Sequence, residues 1–90
     1  MKKTDAEVRR DNEINDLKTI MDTAAGRRFV WRLLAEAKIF QPCFTGNATT
    51  YYNEGRRELG LLFFADVTTH CRDNFIKAQT ENIEMEKRNG

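Results

Sequence analysis

The sequence predicts an all-α fold, a small helical bundle of three to four helices around a central helix at about residues 49–71. Apolar residues recur at spacings of three and four, which is the period of an amphipathic α-helix. No stretch shows the strict alternation of apolar and polar residues that predicts a half-buried strand. The single proline, Pro42, and the turn-forming run Thr45-Gly46-Asn47 indicate a loop between the long helices.

The chain length predicts one domain. With 90 residues, its core is close to the lower size limit for independent stability. We expect residues 1–10, which are mostly charged, to form a flexible N-terminal segment. Residues 11–90 are expected to form a single helical domain.

The first half of the chain contains two predicted helices. A weak apolar repeat predicts the first over about 11–21. Asp22 or Thr23 is suited to cap the second, predicted over about 24–38. Gly26 lies on the apolar face of the second helix, where a missing side chain allows a neighbour to approach closely. The larger residues of that face are Phe29, Val30, Leu33, Leu34 and Ala37.

The remaining positions of the second helix are polar or marginal. Arg28, Arg32 and Glu36 recur at four-residue spacing and predict a solvated charged stripe. Trp31 points away from the centre of the apolar face, so it should lie at the core margin or be exposed.

The loop and the last helix complete the predicted fold. Residues 39–48 should fold back over the end of the core, with Phe40 and Phe44 as plugs. A weakly amphipathic helix is predicted over about 73–87.

The central helix has the most apolar run of the chain. From Leu61 to Ala65 it is apolar almost all round, which predicts the inner helix of the bundle. Gly55 and Gly60 are costly within a helix and therefore indicate close packing or a local break. One face is predicted to combine Tyr52, Leu59, Phe63 and Val67, with Arg56 in its middle.

Arg56 is the unusual residue of that face. An arginine cannot lose its charge, so burial requires a partner. We expect its guanidinium to be substantially buried and to bind carbonyls of residues 44–47 together with one carboxylate. Alternatively, Arg56 and Arg57 reach a partner protein or a phosphate. The candidate carboxylates are those of Glu36, Asp22 and Asp16.

Charge and composition exclude several classes of protein. A net charge of +1 favours neither a nucleic-acid binder nor a membrane-surface protein. The apolar run Leu59–Val67 is too short to span a bilayer, and residues 1–10 are too polar for a signal peptide. We therefore expect a cytoplasmic location or packing into an assembly made there. Cys43 and Cys71 lack metal-ligand spacing, which predicts reduced, unligated thiols.

No set of residues predicts catalysis. His70 adjoins Cys71, but successive helix positions diverge, which disfavours a nucleophile–base pair. Glu54 and Glu58 share a helix face without the rest of a carboxylate metal site. No glycine-rich phosphate loop is present. The prediction is a protein that is not an enzyme and uses no metal or cofactor.

The best case for nucleic-acid contact is a group of arginines near two aromatic residues. Interleaved glutamates favour ordinary salt-bridged faces instead, so nucleic-acid binding is not the preferred interpretation. The arginines are Arg27, Arg28, Arg32, Arg56 and Arg57, the aromatics Trp31 and Tyr51, and the glutamates Glu36, Glu54 and Glu58.

Three blocks of sequence, in order, resemble a family of small helical domains encoded among the structural genes of short-tailed bacteriophages and prophages. The resemblance covers roughly Leu17 to Phe75. It departs at Tyr52, where phenylalanine is frequent, and at Cys43, where a small polar residue is usual. The blocks read GRRFVWRLL from Gly26, FTGN from Phe44 and TYYNEGRRELG from Thr50.

The resemblance implies a non-enzymatic structural or assembly protein, such as a minor virion, head–tail or ejection component, acting through protein–protein contacts. It implies other virion proteins and further copies of the chain as partners, and the host cytoplasm and then the virion as location. The alternative is an accessory protein that binds nucleic acid or a host enzyme during packaging or host takeover. The interaction or fold-defining residues it indicates are Arg28, Trp31, Arg32, Asn53, Glu54, Arg56 and Arg57.

Overall fold

The predicted all-α bundle is confirmed by a computed structural model, which describes residues 2–40 and 49–89. Over these residues the chain forms four helices and no strand. The second and third helices each pack against all the others, which places both at the centre. The helices are α1 (Asp5–Met21), α2 (Ala24–Glu36), α3 (Thr49–His70) and α4 (Arg72–Asn89).

Helix α1 begins six residues earlier than the sequence pattern predicted. Thr4 caps it, because its Oγ1 accepts a hydrogen bond from the backbone N–H of Glu7 at 3.2 Å. The Glu7 carboxylate in turn accepts from the Thr4 backbone N–H at 3.4 Å. The predicted start at Asp11 was therefore wrong, since a reciprocal cap supports the polar first turns that apolar periodicity cannot detect. The flexibility of residues 1–10 stays a prediction.

A two-residue turn joins α1 to α2 and confirms Thr23 as the cap. The Thr23 hydroxyl accepts from the N–H of Gly26 at 2.9 Å and donates to the carbonyl of Ile20 at 3.0 Å. A β-carbon on Gly26 would lie 1.8 Å from that same carbonyl oxygen. The close approach predicted at Gly26 is confirmed, and its neighbour is the last turn of α1.

Helix α2 ends at Glu36, slightly before the predicted Lys38. Lys38 has a φ of 63°, in the left-handed region that follows many helix ends. The chain then turns so that Ile39 enters the core while Phe40 remains half exposed. Residues 41–48, with Phe44, Cys43 and the predicted folding of the loop over the core, lie outside the described residues.

Helix α3 runs antiparallel to α2. Its early residue Arg56 donates to the carbonyl of Glu36 at the end of α2. Just beyond α3, Asn74 donates to the Asp22 carboxylate before the start of α2, at 2.7 Å. A β-carbon on Gly60 would lie 2.4 Å from the β-carbon of Ala37, so this glycine allows the close packing that was predicted. Gly55 has no such neighbour among the described residues.

The core is small and uses one face of α3. Its buried α3 positions are Gly60 and Val67, with Phe64 partly buried beside them, spaced as one helical stripe. The predicted burial of Leu59 and Phe63 was wrong, because they flank this stripe and are 61% and 44% exposed. The buried cluster consists of Met21, Val30, Leu34, Ile39, Val67 and Cys71.

Two other groups of residues that the sequence assigned to the core are also exposed. Phe29 and Leu33 of α2 are 64% and 47% exposed, since the buried line of that helix runs through Arg27, Val30 and Leu34. The run from Leu61 to Ala65 is likewise not enclosed, because Leu61, Leu62 and Phe63 are all exposed.

Four aromatic rings close the end of the core beside α4. Trp31 stacks on Phe40 with ring centroids 5.5 Å apart and meets Phe75 at 5.8 Å. Phe64 meets Phe40 and Phe75 edge to face, at 6.0 and 5.5 Å. The cluster ties α2, α3 and α4 together. It confirms that Trp31 lies at the core margin, where it is half-buried.

Candidate interaction groove between α2 and α4

A groove of about 370 Å³ runs between α2 and α4. Four arginines and two glutamates line it, so it carries an excess of positive charge. Its lining residues are Arg27, Arg28, Trp31, Arg32, Ala78, Glu81, Asn82, Glu84, Met85 and Arg88. We call this surface the α2–α4 groove.

Arg27 forms the base of the groove and is only 6% exposed. Its Nε donates to Glu81 Oε1 at 2.7 Å, and its Nη2 lies 3.4 Å from Glu81 Oε2. Its Nη1 donates to the carbonyl of Met21 at 3.0 Å. One guanidinium thus joins the end of α1, the first turn of α2 and the middle of α4, with the fork geometry that lysine cannot provide.

The contact with Arg27 lowers the pKa of Glu81. The hydrogen bond from Arg27 is the main cause, with smaller contributions from the charges of Arg27, Lys77 and Arg28; desolvation acts in the opposite direction. Glu81 is therefore ionised at neutral pH. Its stabilising effect is complete above the ordinary carboxyl pKa of 4.5 and is lost as the pH falls through the lowered value.

Because the pKa of Glu81 is lowered in the folded protein, the stability that Glu81 contributes should depend on pH. Wild type should melt at a higher temperature than Glu81→Gln at neutral pH, and the difference should shrink as the pH falls below 4.5. Thermal unfolding followed by circular dichroism at several pH values measures it. A melting-temperature difference that stays constant down to the acid limit would show that the Glu81 charge does not stabilise the fold.

The rim of the groove differs from its base. Arg28, Arg32 and Arg88 are exposed and form no salt bridge with any carboxylate in the described part of the chain. Trp31 and Met85 provide apolar surface between these charges. Guanidinium groups that form no salt bridge, beside an aromatic ring, can bind a carboxylate and an adjoining apolar side chain together.

The structure divides the predicted site residues into two groups. Arg28, Trp31 and Arg32 meet in the groove. The other four lie in the first half of α3 and do not line it. Of these four, Glu54 is exposed. The three half-buried residues are Asn53, Arg56 and Arg57.

Arg56 is half-buried. It donates to the backbone carbonyl of Glu36. The predicted carbonyls of residues 44–47 lie outside the described residues. Next to it, Arg57 has a buried Nε with no hydrogen-bond partner in the described structure. Burial of this donor lowers the stability of the fold, because the N–H loses its hydrogen bond to water without gaining another.

The buried arginine of this fold is Arg27, which the sequence analysis placed only in a charged patch. A signal for it exists, because Arg27 precedes Val30 by three residues and Leu34 by seven, which is the spacing of the buried stripe of α2. Its partner Glu81 begins the stretch to Arg88 that the sequence predicts to be solvated or to contact a partner, since weak amphipathicity does not fix which face of α4 turns inward. Met85 and Arg88 belong to the same stretch, and the sequence pattern does not place them beside α2.

A second hollow lies where the α1–α2 turn meets the junction of α3 and α4, and it contains His70 and Cys71. Cys71 is 5% exposed, and burial raises the pKa of its thiol. A thiol with a raised pKa is protonated at neutral pH, whereas an activated nucleophile needs a lowered one.

The described residues offer neither a metal site nor a membrane-spanning helix. Within residues 2–40 and 49–89 there is no group of three or more metal-ligating side chains. Among the same residues, no helix has the length and apolar character needed to cross a bilayer.

Comparison with known proteins gives one result. The family described as "Bbp19-like phage protein" matches residues 17–80, which is most of the chain. No curated protein and no solved structure matches the chain. The matched segment runs from the second half of α1 into α4 and includes all of α2 and α3, with Arg27; its partner Glu81 lies one residue beyond the match. The chain therefore belongs to the Bbp19-like phage protein family.

Proposed function

We propose that this phage protein is a non-enzymatic structural or assembly component of a short-tailed phage: a minor virion, head–tail or ejection protein. It is made in the host bacterial cytoplasm and acts by binding another virion protein through the α2–α4 groove. Family membership supports a phage protein. The groove supports an interaction role, because its base is a fixed structural pair and its rim is left open to a partner.

The observation that carries this proposal is the state of the three rim arginines. Arg28, Arg32 and Arg88 have no salt-bridge partner within the described residues, although 14 acidic residues occur in the chain. Arginine and tryptophan are the residues that most often dominate binding energy at protein interfaces. With Trp31 between them, they suit an acidic segment that also presents an apolar side chain.

The alternative is an accessory protein that binds nucleic acid or a host enzyme during packaging or host takeover. The same arginines and Trp31 favour it, since base stacking and phosphate contact use these residue types. Glu84 on the groove wall opposes it, because a carboxylate repels a polyanion, and the overall charge of +1 provides little attraction for one. An acidic protein segment tolerates a nearby glutamate better than a continuous phosphate backbone does.

Complementation of a phage that lacks the gene tests the proposal. The double variant Arg28→Ala/Arg32→Ala should fold and melt like wild type but fail to restore infectious particles. The matched control is Arg9→Ala/Arg72→Ala, which removes two equally exposed charges outside the groove and should complement fully. Normal particle yield with the groove variant would contradict the proposed role of the groove.

Nucleic-acid binding separates the two functions. Wild type should bind duplex DNA at physiological salt no better than the weak non-specific range, about 10⁻⁴ M or poorer. Fluorescence anisotropy over a salt series measures this affinity. Submicromolar binding with a steep salt dependence, lost in Arg28→Ala/Arg32→Ala, would instead support the accessory function.

A further inference from the structure

The outer face of α2 extends the groove with a second set of exposed residues. Arg28 and Arg32 form a row along the helix, one turn apart, with their β-carbons about 6 Å from each other. Phe29 and Leu33 have the same spacing and are 64% and 47% exposed. Successive helical residues are rotated by about 100°, so this apolar row lies directly beside the arginine row.

The arginine row therefore has apolar surface on both sides. On its other side, Trp31 of α2 and Met85 of α4 line the groove. Glu36 is exposed and continues the row at the same four-residue spacing, so the basic part of the row ends at Arg32. We call this three-row surface the α2 outer surface; its residues are Arg28, Phe29, Trp31, Arg32, Leu33 and Met85.

The three rows indicate the conformation of a segment that could cover them. In an extended segment the side chains alternate between two faces, so a single row of side chains meets the surface beneath. An α-helix instead presents adjacent rows on one face, each repeating after about one turn. A helix lying along α2 can thus place carboxylates opposite the arginines and apolar side chains opposite both flanking rows.

We propose that the bound segment, whose existence rests on the proposed function, is an amphipathic α-helix with two acidic residues one turn apart and apolar residues on both sides of them. Charge complementarity selects the acidic pair, because Arg28 and Arg32 form no salt bridge within the described residues. The pair contains two residues and not three, because Glu36 would repel a third carboxylate. Burial of Phe29 and Leu33 adds apolar contact that the groove alone does not provide.

Two synthetic peptides test the conformation of the partner. The probe is an alanine-rich helical peptide of about 16 residues, with two glutamates four residues apart and leucines on both sides of them. The control peptide has proline in place of one central alanine, which breaks the helix. Trp31 is the only tryptophan of the chain and lines the groove, so its fluorescence reports binding to the full-length protein.

The helical peptide should bind at least about tenfold more tightly than the proline control, because the control cannot contact all three rows at once. Equal affinity of the two peptides would overturn the proposal. So would failure of the helical peptide to bind.

Phe29→Ala/Leu33→Ala separates this inference from the proposed function. The variant should melt like wild type, since both side chains are exposed, but it should bind the helical peptide at least about tenfold more weakly and fail to restore infectious particles. The matched control is Ile76→Ala/Ile83→Ala on α4. It removes two apolar side chains that are 49% and 46% exposed outside this surface, and it should bind and complement like wild type.

The two groove-side variants give distinguishable outcomes. If Phe29→Ala/Leu33→Ala binds the peptide and complements like wild type while Arg28→Ala/Arg32→Ala fails, the partner is an extended acidic segment. The helix inference is then wrong and the proposed function stands. If both variants complement fully, the proposed role of the groove and the helix inference both fail.

Discussion

Gly26→Ala should lower the melting temperature of the protein by about 15 °C, which corresponds to about 3 kcal/mol in a domain of this size. An added β-carbon would lie 1.8 Å from the Ile20 carbonyl oxygen and 2.7 Å from its carbonyl carbon. These are backbone atoms in the last turn of α1, so they cannot move aside as a flexible side chain can. The turn would have to open, and α1 would lose its position against α2. Thermal unfolding by circular dichroism measures the effect.

Gly55→Ala is the control, because the same substitution in α3 meets nothing within 4 Å in the described structure. It should raise stability by up to about 1 kcal/mol, since alanine favours a helix over glycine. Gly26→Ala should therefore lower the stability of the protein, whereas Gly55→Ala should raise it. If Gly26→Ala melts at or above the wild-type temperature, the described α1–α2 turn is wrong.

Arg27→Ala should produce the next largest loss, about 10 °C in melting temperature. The substitution leaves the buried carbonyl of Met21 without its donor, which costs about 1–3 kcal/mol. It also leaves the Glu81 carboxylate without its cation and removes packing between α2 and α4. Arg27→Lys should restore only part of the loss, because one ammonium group cannot reach both partners in this geometry.

Arg28→Ala provides the comparison, since it removes the neighbouring arginine from the exposed rim of the groove. Surface substitutions of this kind usually change stability by less than about 0.5 kcal/mol. A double-mutant cycle between Arg27 and Glu81 would isolate their coupling. Equal melting temperatures for Arg27→Ala and Arg28→Ala would mean that Arg27 does not organise the fold.

The helices themselves were predictable because strong local signals mark them. Thr23 and the following apolar repeat define the start of α2, and α3 closely matches the predicted 49–71. The early start of α1 could have been predicted, because Thr4 and Glu7 have the spacing of a capping box. The prediction for this segment used its high charge instead. Local chemistry thus determines where these helices begin and end.

The faces of the helices were harder to predict. In α3, apolar residues nearly encircle the axis from Leu61 to Ala65, so periodicity cannot select the buried stripe. The selection is tertiary, because Gly60 allows Ala37 to approach and so turns Leu59 and Phe63 outward.

The same reasoning explains the result for the candidate site. Arg28, Trp31 and Arg32 share α2, so their proximity follows from helical spacing. The contribution of α4 to the groove depends on which residue pairs with Arg27, and sequence spacing contains no information about a partner 54 residues away. Half of the groove was therefore accessible from sequence, and the half supplied by Glu81, Met85 and Arg88 was not.

Quantitative mass spectrometry of purified phage particles tests the proposed function most directly. The protein should be present at a defined copy number per particle and should remain after nuclease treatment and gradient purification. Particles assembled with Arg28→Ala/Arg32→Ala should lack it, whereas those with Arg9→Ala/Arg72→Ala should contain the wild-type amount. Absence of the wild-type protein from particles, together with its presence in infected cells, would contradict the virion role and support the accessory function.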